Sequence, residues 1–175
     1  MARLPYADLT SPAAAPLVER IVAERGSVLH LYQMLLHSPP LAEGWLAFLT
    51  AVRHKLSLPG DLRELAIMRI AILNGAPYEA EQHAPIALAE GLSQAQLDAL
   101  ADWPAAARTY TPLQQEVLSL TDAMTRDIQV PAERISSLQA RLGEQCLVEL
   151  VATIGAYNMV SRFLEALQIH SDDQR

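Results

Sequence analysis

DLRELAIMRIAILNGAPYEAEQHAPIALAEG, residues 61–91, is the stretch on which the fold turns. In its first half Leu65, Ala66, Ile67, Met68, Ile70, Ala71, Ile72 and Leu73 leave almost no polar face. A helix over about 61–73 that is apolar on most sides belongs at the centre of a core. Asn74-Gly75 stops it, Pro77 suits the first turn of the next helix, and Gly91 closes that one. Two helices joined by so short a turn fold back on each other, so a central helical hairpin is expected.

Outward from the hairpin, apolar residues recur at three and four residues, with Pro and Gly falling between segments. On the N-terminal side, Ser11-Pro12 and Gly26 bracket a first helix, and a second runs over about 27–37. Ser38-Pro39-Pro40 opens a third, about 41–55, with Trp45, Leu46, Leu49, Val52 and Leu56 on one face, and Ser57-Leu58-Pro59-Gly60 ends it. On the C-terminal side, Ser93-x-x-Gln96 is a capping-box start, and Thr111-Pro112-Leu113-Gln114 repeats it before a helix to about 129. Pro131 starts another that Gly143 ends, and the last spans about 144–169. No strand-like alternation appears, so the chain reads as an all-α bundle in a single domain over 1–175.

At 175 residues, 51% hydrophobic and 19% charged, the chain is long and apolar enough to bury a core. Twenty acidic against thirteen basic residues give a net charge of −7, the wrong sign for neutralising phosphate, so nucleic acid is not an expected partner. Cys146 is the single cysteine, which excludes an internal disulfide, a CxxC redox pair and a Cys-rich zinc site. The first eight residues hold no apolar leader. Arg69 and Glu149 interrupt the apolar runs 65–73 and 146–160, so neither is expected to span a bilayer. The expected location is the cytoplasm, with no membrane partner.

The hairpin also carries an unusual polar set: Glu64 and Arg69 on its first helix, then Tyr78, Glu79, Glu81, Gln82 and His83 on its second. Glu79 and His83, four apart, share a helix face, and the turn brings Glu64 to the same level. A carboxylate beside a histidine fixes its tautomer and favours its charged form, which is what a general acid/base near neutral pH needs. The plainer reading is a solvated ion pair with Glu64 complementing the helix dipole. Arg69, flanked by Met68 and Ile70, calls for an anion, either a structural carboxylate or a substrate. His30, His37, His54 and His170 are scattered and suggest no metal site. Gly155, inside the last helix, reads as a close-packing position.

Three stretches, Arg63-Glu64-Leu65-Ala66-Ile67-Met68-Arg69, Asn74-Gly75-Ala76-Pro77-Tyr78-Glu79-Ala80-Glu81-Gln82-His83 and Ala89-Glu90-Gly91-Leu92-Ser93, resemble the carboxymuconolactone decarboxylase and AhpD-like alkylhydroperoxidase superfamily. The segment from Gly155 to Leu164 is similar to that family's C-terminal part, and the resemblance covers about 58–167. It implies an AhpD-like helical bundle that assembles as trimers or hexamers. In the peroxidase branch the pattern is Glu, eleven residues, Cys, two residues, Cys, three residues, His; the same frame here reads Glu64, Ala76, Glu79, His83. Thiolate attack on a peroxide needs sulfur at one of those positions, and both lack it.

The decarboxylase branch uses no cysteine, and its Glu-x-x-x-His arrangement matches Glu79 and His83. The resemblance implies cofactor-free loss of CO₂ from a small lactone acid, with His83 moving the proton and Glu79 and Glu64 orienting it. A basic residue that holds substrate carboxylates close after the His is replaced here by Pro85, leaving Arg69 and Arg162 as candidate anion contacts, while Tyr78 and Asn158 are further candidate substrate contacts. The expected function is therefore a cofactor-free acid/base enzyme of decarboxylase or lyase type, with a small-molecule substrate and no metal. The alternatives are an alkylhydroperoxidase relative that has lost its cysteines and a non-catalytic small-molecule binder. Self-association is expected, because the apolar content of the hairpin and the last helix exceeds what one small bundle hides.

Overall fold

In the computed structural model, which describes residues 1–173, every regular element is helical. The chain divides into two compact units, Leu56–Glu165 and the remainder, 1–55 with the residues from Ala166 onward.

The smaller unit contains α1 (Ala15–Arg25), α2 (His30–Leu35) and α3 (Pro39–His54), with α1 and α2 both packed on α3. Ile21, Leu35 and Leu46 are fully buried there. The Ser11-Pro12 start signal is used one turn early. The N–H groups of Ala14 and Ala15 donate to the Ser11 carbonyl at 2.9 and 3.2 Å, forming a turn, and α1 itself begins with Pro16 in its first positions. The residues after Ala166 are tied back by main-chain and side-chain bonds. Arg3 N donates to Leu167 O at 2.9 Å, Tyr6 Oη to Asp173 Oδ2 at 2.7 Å, and His30 Nδ1 lies 2.9 Å from His170 O.

The larger unit is built around α4 (Gly60–Leu73), which packs against α5 (Pro77–Ala89) and α7 (Pro112–Arg126). Every residue from Leu62 to Ala71 is buried, as the all-round apolar pattern requires. The hairpin turn is a Schellman-type end: Gly75 has φ +62°, and Ala76 N donates to Ala71 O at 2.8 Å. Both expected capping boxes form, Ser93 with Gln96 ahead of α6 (Gln94–Ala99) and Thr111 with Gln114 ahead of α7. Leu65, Met68, Ala87, Leu92, Leu97, Leu100, Tyr110 and Leu118 make one core cluster.

The last element, α8 (Ala132–Leu167), is two helices, because Gly143 at φ +76° and ψ 170° is not helical and separates 132–142 from 144–167. Glu149 in its second half accepts bonds from Ser57 N and Leu58 N at 2.9 and 2.8 Å, fixing the chain's entry into α4. By length, and with a mean hydropathy of 1.2 over its 18-residue apolar window, α8 is apolar enough to cross a membrane, against the expectation that Glu149 interrupts the run. Half of the apolar window is buried inside the protein, including Leu150, Ile154 and Tyr157, as in a core helix of a soluble protein.

Candidate functional site

The site begins with two adjacent charged residues on a helix that has no solvent face. Glu64 is fully buried, and Arg63 beside it is nearly so. One Glu64 oxygen, Oε1, accepts from Arg63 Nε at 3.0 Å. The other, Oε2, lies 2.7 Å from His83 Nδ1 on α5. Arg63 then donates through Nη2 to Glu90 Oε1 at 2.7 Å, just past the end of α5. A four-residue chain, Glu90–Arg63–Glu64–His83, thus laces the two arms of the hairpin together. Gly60 makes room for it, because a Cβ there would lie 1.8 Å from Glu90 Oε2.

Buried charges persist only when paired and hydrogen-bonded. Burial alone pushes the Glu64 carboxyl up, but the bonds and charges of His83 and then Arg63 outweigh it, holding the group below its ordinary value of 4.5. Burial likewise works against the Arg63 charge, and Glu64 and Glu90 together hold its guanidinium above its ordinary value. Glu64 is therefore an anion near neutral pH, and it fixes the ring orientation of His83 through Nδ1. The His83 ring is 7% exposed and meets the Tyr157 ring of α8 edge-on, with centroids 4.9 Å apart at 90°.

Glu79, one turn before His83, is different. It is 2% exposed, and neither carboxyl oxygen has a hydrogen-bond partner. Burial first, and then the charge of Glu165 on α8, raise this carboxyl well above its ordinary value. The expectation that Glu64 and Glu79 would both orient His83 is corrected here: Glu64 makes that bond, and Glu79 makes none. Glu64 has His83 and Arg63 to support its charge, whereas Glu79 is buried facing another acid, which favours its neutral form.

The remaining candidates lie elsewhere in the unit. Tyr78 is buried at the start of α5. Arg69 is 2% exposed, and its guanidinium is spent on Asp122, at 2.6 and 2.9 Å, and on the carbonyls of Leu100 and Ala101, at 2.6 and 3.1 Å. Of the two anions expected for it, it has the structural carboxylate. Asn158 bonds Asn74 at 3.1 Å, Thr125 at 2.9 Å and its own helix at Ile154, so it ties α8 to the end of α4 and to α7. Arg162 is exposed and bonds Asn158. Residues the sequence reading passed over are Glu90, Tyr157 and Glu165. Tyr157 and Glu90 stand inside the stretches quoted for the resemblance, but no spacing rule links them to His83.

Among the described residues, no group of three or more His, Cys, Asp or Glu side chains is arranged to hold a metal ion. The position of the first motif cysteine is a buried alanine, Ala76, and Cys146 is a free, half-buried thiol on α8.

Residues 39–123 match the model of the carboxymuconolactone decarboxylase family. A search of curated protein sequences finds no match. Among solved structures, a peroxidase-related protein from Ralstonia eutropha JMP134, described as an alkylhydroperoxidase AhpD core, superposes with a TM-score of 0.82 at 16% identity, over 98% of this chain and 93% of the other. A peroxidase-related protein from Silicibacter sp. TM1040 gives 0.80 at 16% identity, over 96% and 89%. A cysteine-to-alanine variant of the debrominase Bmp8, in complex with 2,3,4-tribromopyrrole, gives 0.76 at 16% identity, over 98% and 95%. At these identities the likeness establishes a common fold.

Proposed function

The chain belongs to the carboxymuconolactone decarboxylase and AhpD-like superfamily and, with one cysteine, has no CxxC pair; from that membership we propose that it is a cofactor-free acid/base enzyme of decarboxylase or lyase type. The substrate class is a small carboxylated or lactone-like molecule. One observation carries the reading: a buried histidine tied to an ionised glutamate, with a second glutamate one turn away whose oxygens are both unpartnered. Structural clusters close their hydrogen bonds; a buried carboxyl left bare is a group awaiting a ligand.

With Nδ1 committed to Glu64, His83 exchanges its proton through Nε2. When the substrate carboxylate leaves as CO₂, the bonding electron pair stays on the substrate and spreads onto a conjugated carbonyl oxygen. The neutral Glu79 carboxyl donates a hydrogen bond to that oxygen, and protonated His83 delivers the proton to carbon. Water then restores the His83 proton. Glu64 stabilises the charged ring throughout, and Arg63 with Glu90 keeps Glu64 ionised. The same reading has the enzyme working in the cytoplasm as a trimer or hexamer.

The test is CO₂ release from a panel of small lactone acids and β-keto acids, measured on the wild type and on Cys146→Ser. Equal turnover in both is expected. Thiol-dependent peroxide turnover that Cys146→Ser abolishes would overturn the assignment, and so would saturable binding of the panel without any turnover.

A further inference from the structure

Gly155 lies in the middle of the second half of α8, where glycine is the poorest helix former after proline. Nothing in the chain needs it: a Cβ there would meet no atom within 4 Å. From Gln145 onward the exposed positions of this half, Gln145, Val148, Ala152, Gly155, Met159, Arg162 and Ala166, follow one another at alternating steps of three and four residues. That is the seam of a packed helix pair, and its middle is apolar and small, with Val148 66% and Met159 40% exposed.

We propose that a second copy of this chain covers this seam, with α8 lying antiparallel on the α8 of the copy about a two-fold axis beside Thr153 and Ile154. Such an axis sets Val148 against Met159 and Ala152 against Gly155, so the two smallest side chains meet at the centre, where the helix axes can approach to about 8 Å. Charge selects this orientation. Arg162 forms no ion pair among the described residues; its Nη1 bonds only the main-chain and side-chain oxygens of Asn158, at 2.9 and 2.6 Å. Glu144 meets only the amide of Gln139, at 3.5 Å. The antiparallel pairing brings each Arg162 to the Gln145 and Glu144 end of the other helix, twice by symmetry. A parallel pairing would set Arg162 against Arg162 and Glu144 against Glu144. The proposal narrows the expectation of self-association, because a two-fold axis admits the hexamer and not the trimer, and it is independent of the acid/base reading, whose failure would leave it untouched.

Sedimentation at micromolar concentration should give a wild-type mass that is an even multiple of the chain. Gly155→Arg, which meets no atom of its own chain, should halve that mass with helicity unchanged. Arg162→Glu should weaken association by roughly tenfold, and Glu144→Arg combined with Arg162→Glu should restore most of it. Val148→Cys with Met159→Cys in a Cys146→Ser background should give a covalent dimer on mild oxidation. The two new thiols lie eleven residues apart, about 16 Å along one helix, so they cannot bridge within a chain. A monomeric or odd-numbered wild type, an unchanged mass for Gly155→Arg, or no covalent dimer would each overturn the proposal.

Discussion

Along α4 two arginines six residues apart have opposite surroundings. Arg69 sits among groups that account for one another: Asp122 takes two of its bonds, two carbonyls take the rest, and Trp103 Nε1 donates to the same Asp122 at 3.2 Å. Arg63 belongs to a chain that reaches His83, with a carboxyl one turn away whose oxygens accept no hydrogen bond. The residue types are the same and both are buried. What separates a brace from a site is whether the polar groups around it are all satisfied, because a buried group without a partner is costly and persists where something else rewards it.

The largest expected effect falls at His83. His83→Ala should lower turnover of the folded protein by roughly 10²–10⁴-fold, the range for losing a general acid/base, and should also lower the melting temperature, because the buried Glu64 is left with Arg63 alone. Unchanged turnover would erase the contrast between the two regions. At Arg69 the effect should be on stability. Arg69→Met takes the buried donor from the Leu100 and Ala101 carbonyls and leaves the partly buried Asp122 with Trp103 and Arg126 only, and should cost about 1–3 kcal/mol in denaturant unfolding. If it unfolds at the wild-type midpoint, the Arg69 cluster is not a brace.

A subtler separation comes from the two glutamates. Glu64 is held below its ordinary value, so its contribution to stability is present above the unfolded carboxyl value of about 4.3 and is lost as pH falls through the folded one. Glu64→Gln should therefore flatten the acid limb of the stability profile and, by weakening the hold of His83 on its proton, move the alkaline limb of the rate profile to lower pH. Glu79 is raised, so the opposite sign applies: its contribution is complete below about 4.3 and is lost as pH rises through the folded value. Glu79→Gln, which keeps a neutral side chain at every pH, should gain stability over the wild type as pH rises from 5 to 8. That gain is the smallest effect, about 2–4 °C in melting temperature for each kcal/mol. Because burial already favours the neutral form of Glu79, this variant should leave the alkaline limb of the rate profile in place. A profile that shifts as much as in Glu64→Gln would mean that both carboxylates support His83.

How much of this was legible beforehand follows from how local each signal is. Helix ends are written in neighbouring residues, so Gly143, the two capping boxes and the Asn74-Gly75 turn were readable. The pairing of Glu64 with His83 was half readable, since a hairpin brings its arms to one level but does not say which carboxylate reaches the ring. Spacing favoured Glu79, four residues away on the same helix, and the bond went to Glu64, nineteen residues away. The cation that decides the matter, Arg63, is held in turn by Glu90, and no periodicity reveals that link.

The sequence by itself determined that this is an all-helical protein with an apolar central hairpin and one cysteine outside the motif frame, because patterning, caps and composition are properties of neighbouring residues. Only the tertiary structure decided in which direction the charge of each buried acid is pushed. Glu64 and Glu79 are the same side chain in the same core, yet one is pushed toward its ionised form and the other toward its neutral form. Their difference comes from what other helices bring beside them, a guanidinium and an imidazole for one and a second carboxylate for the other.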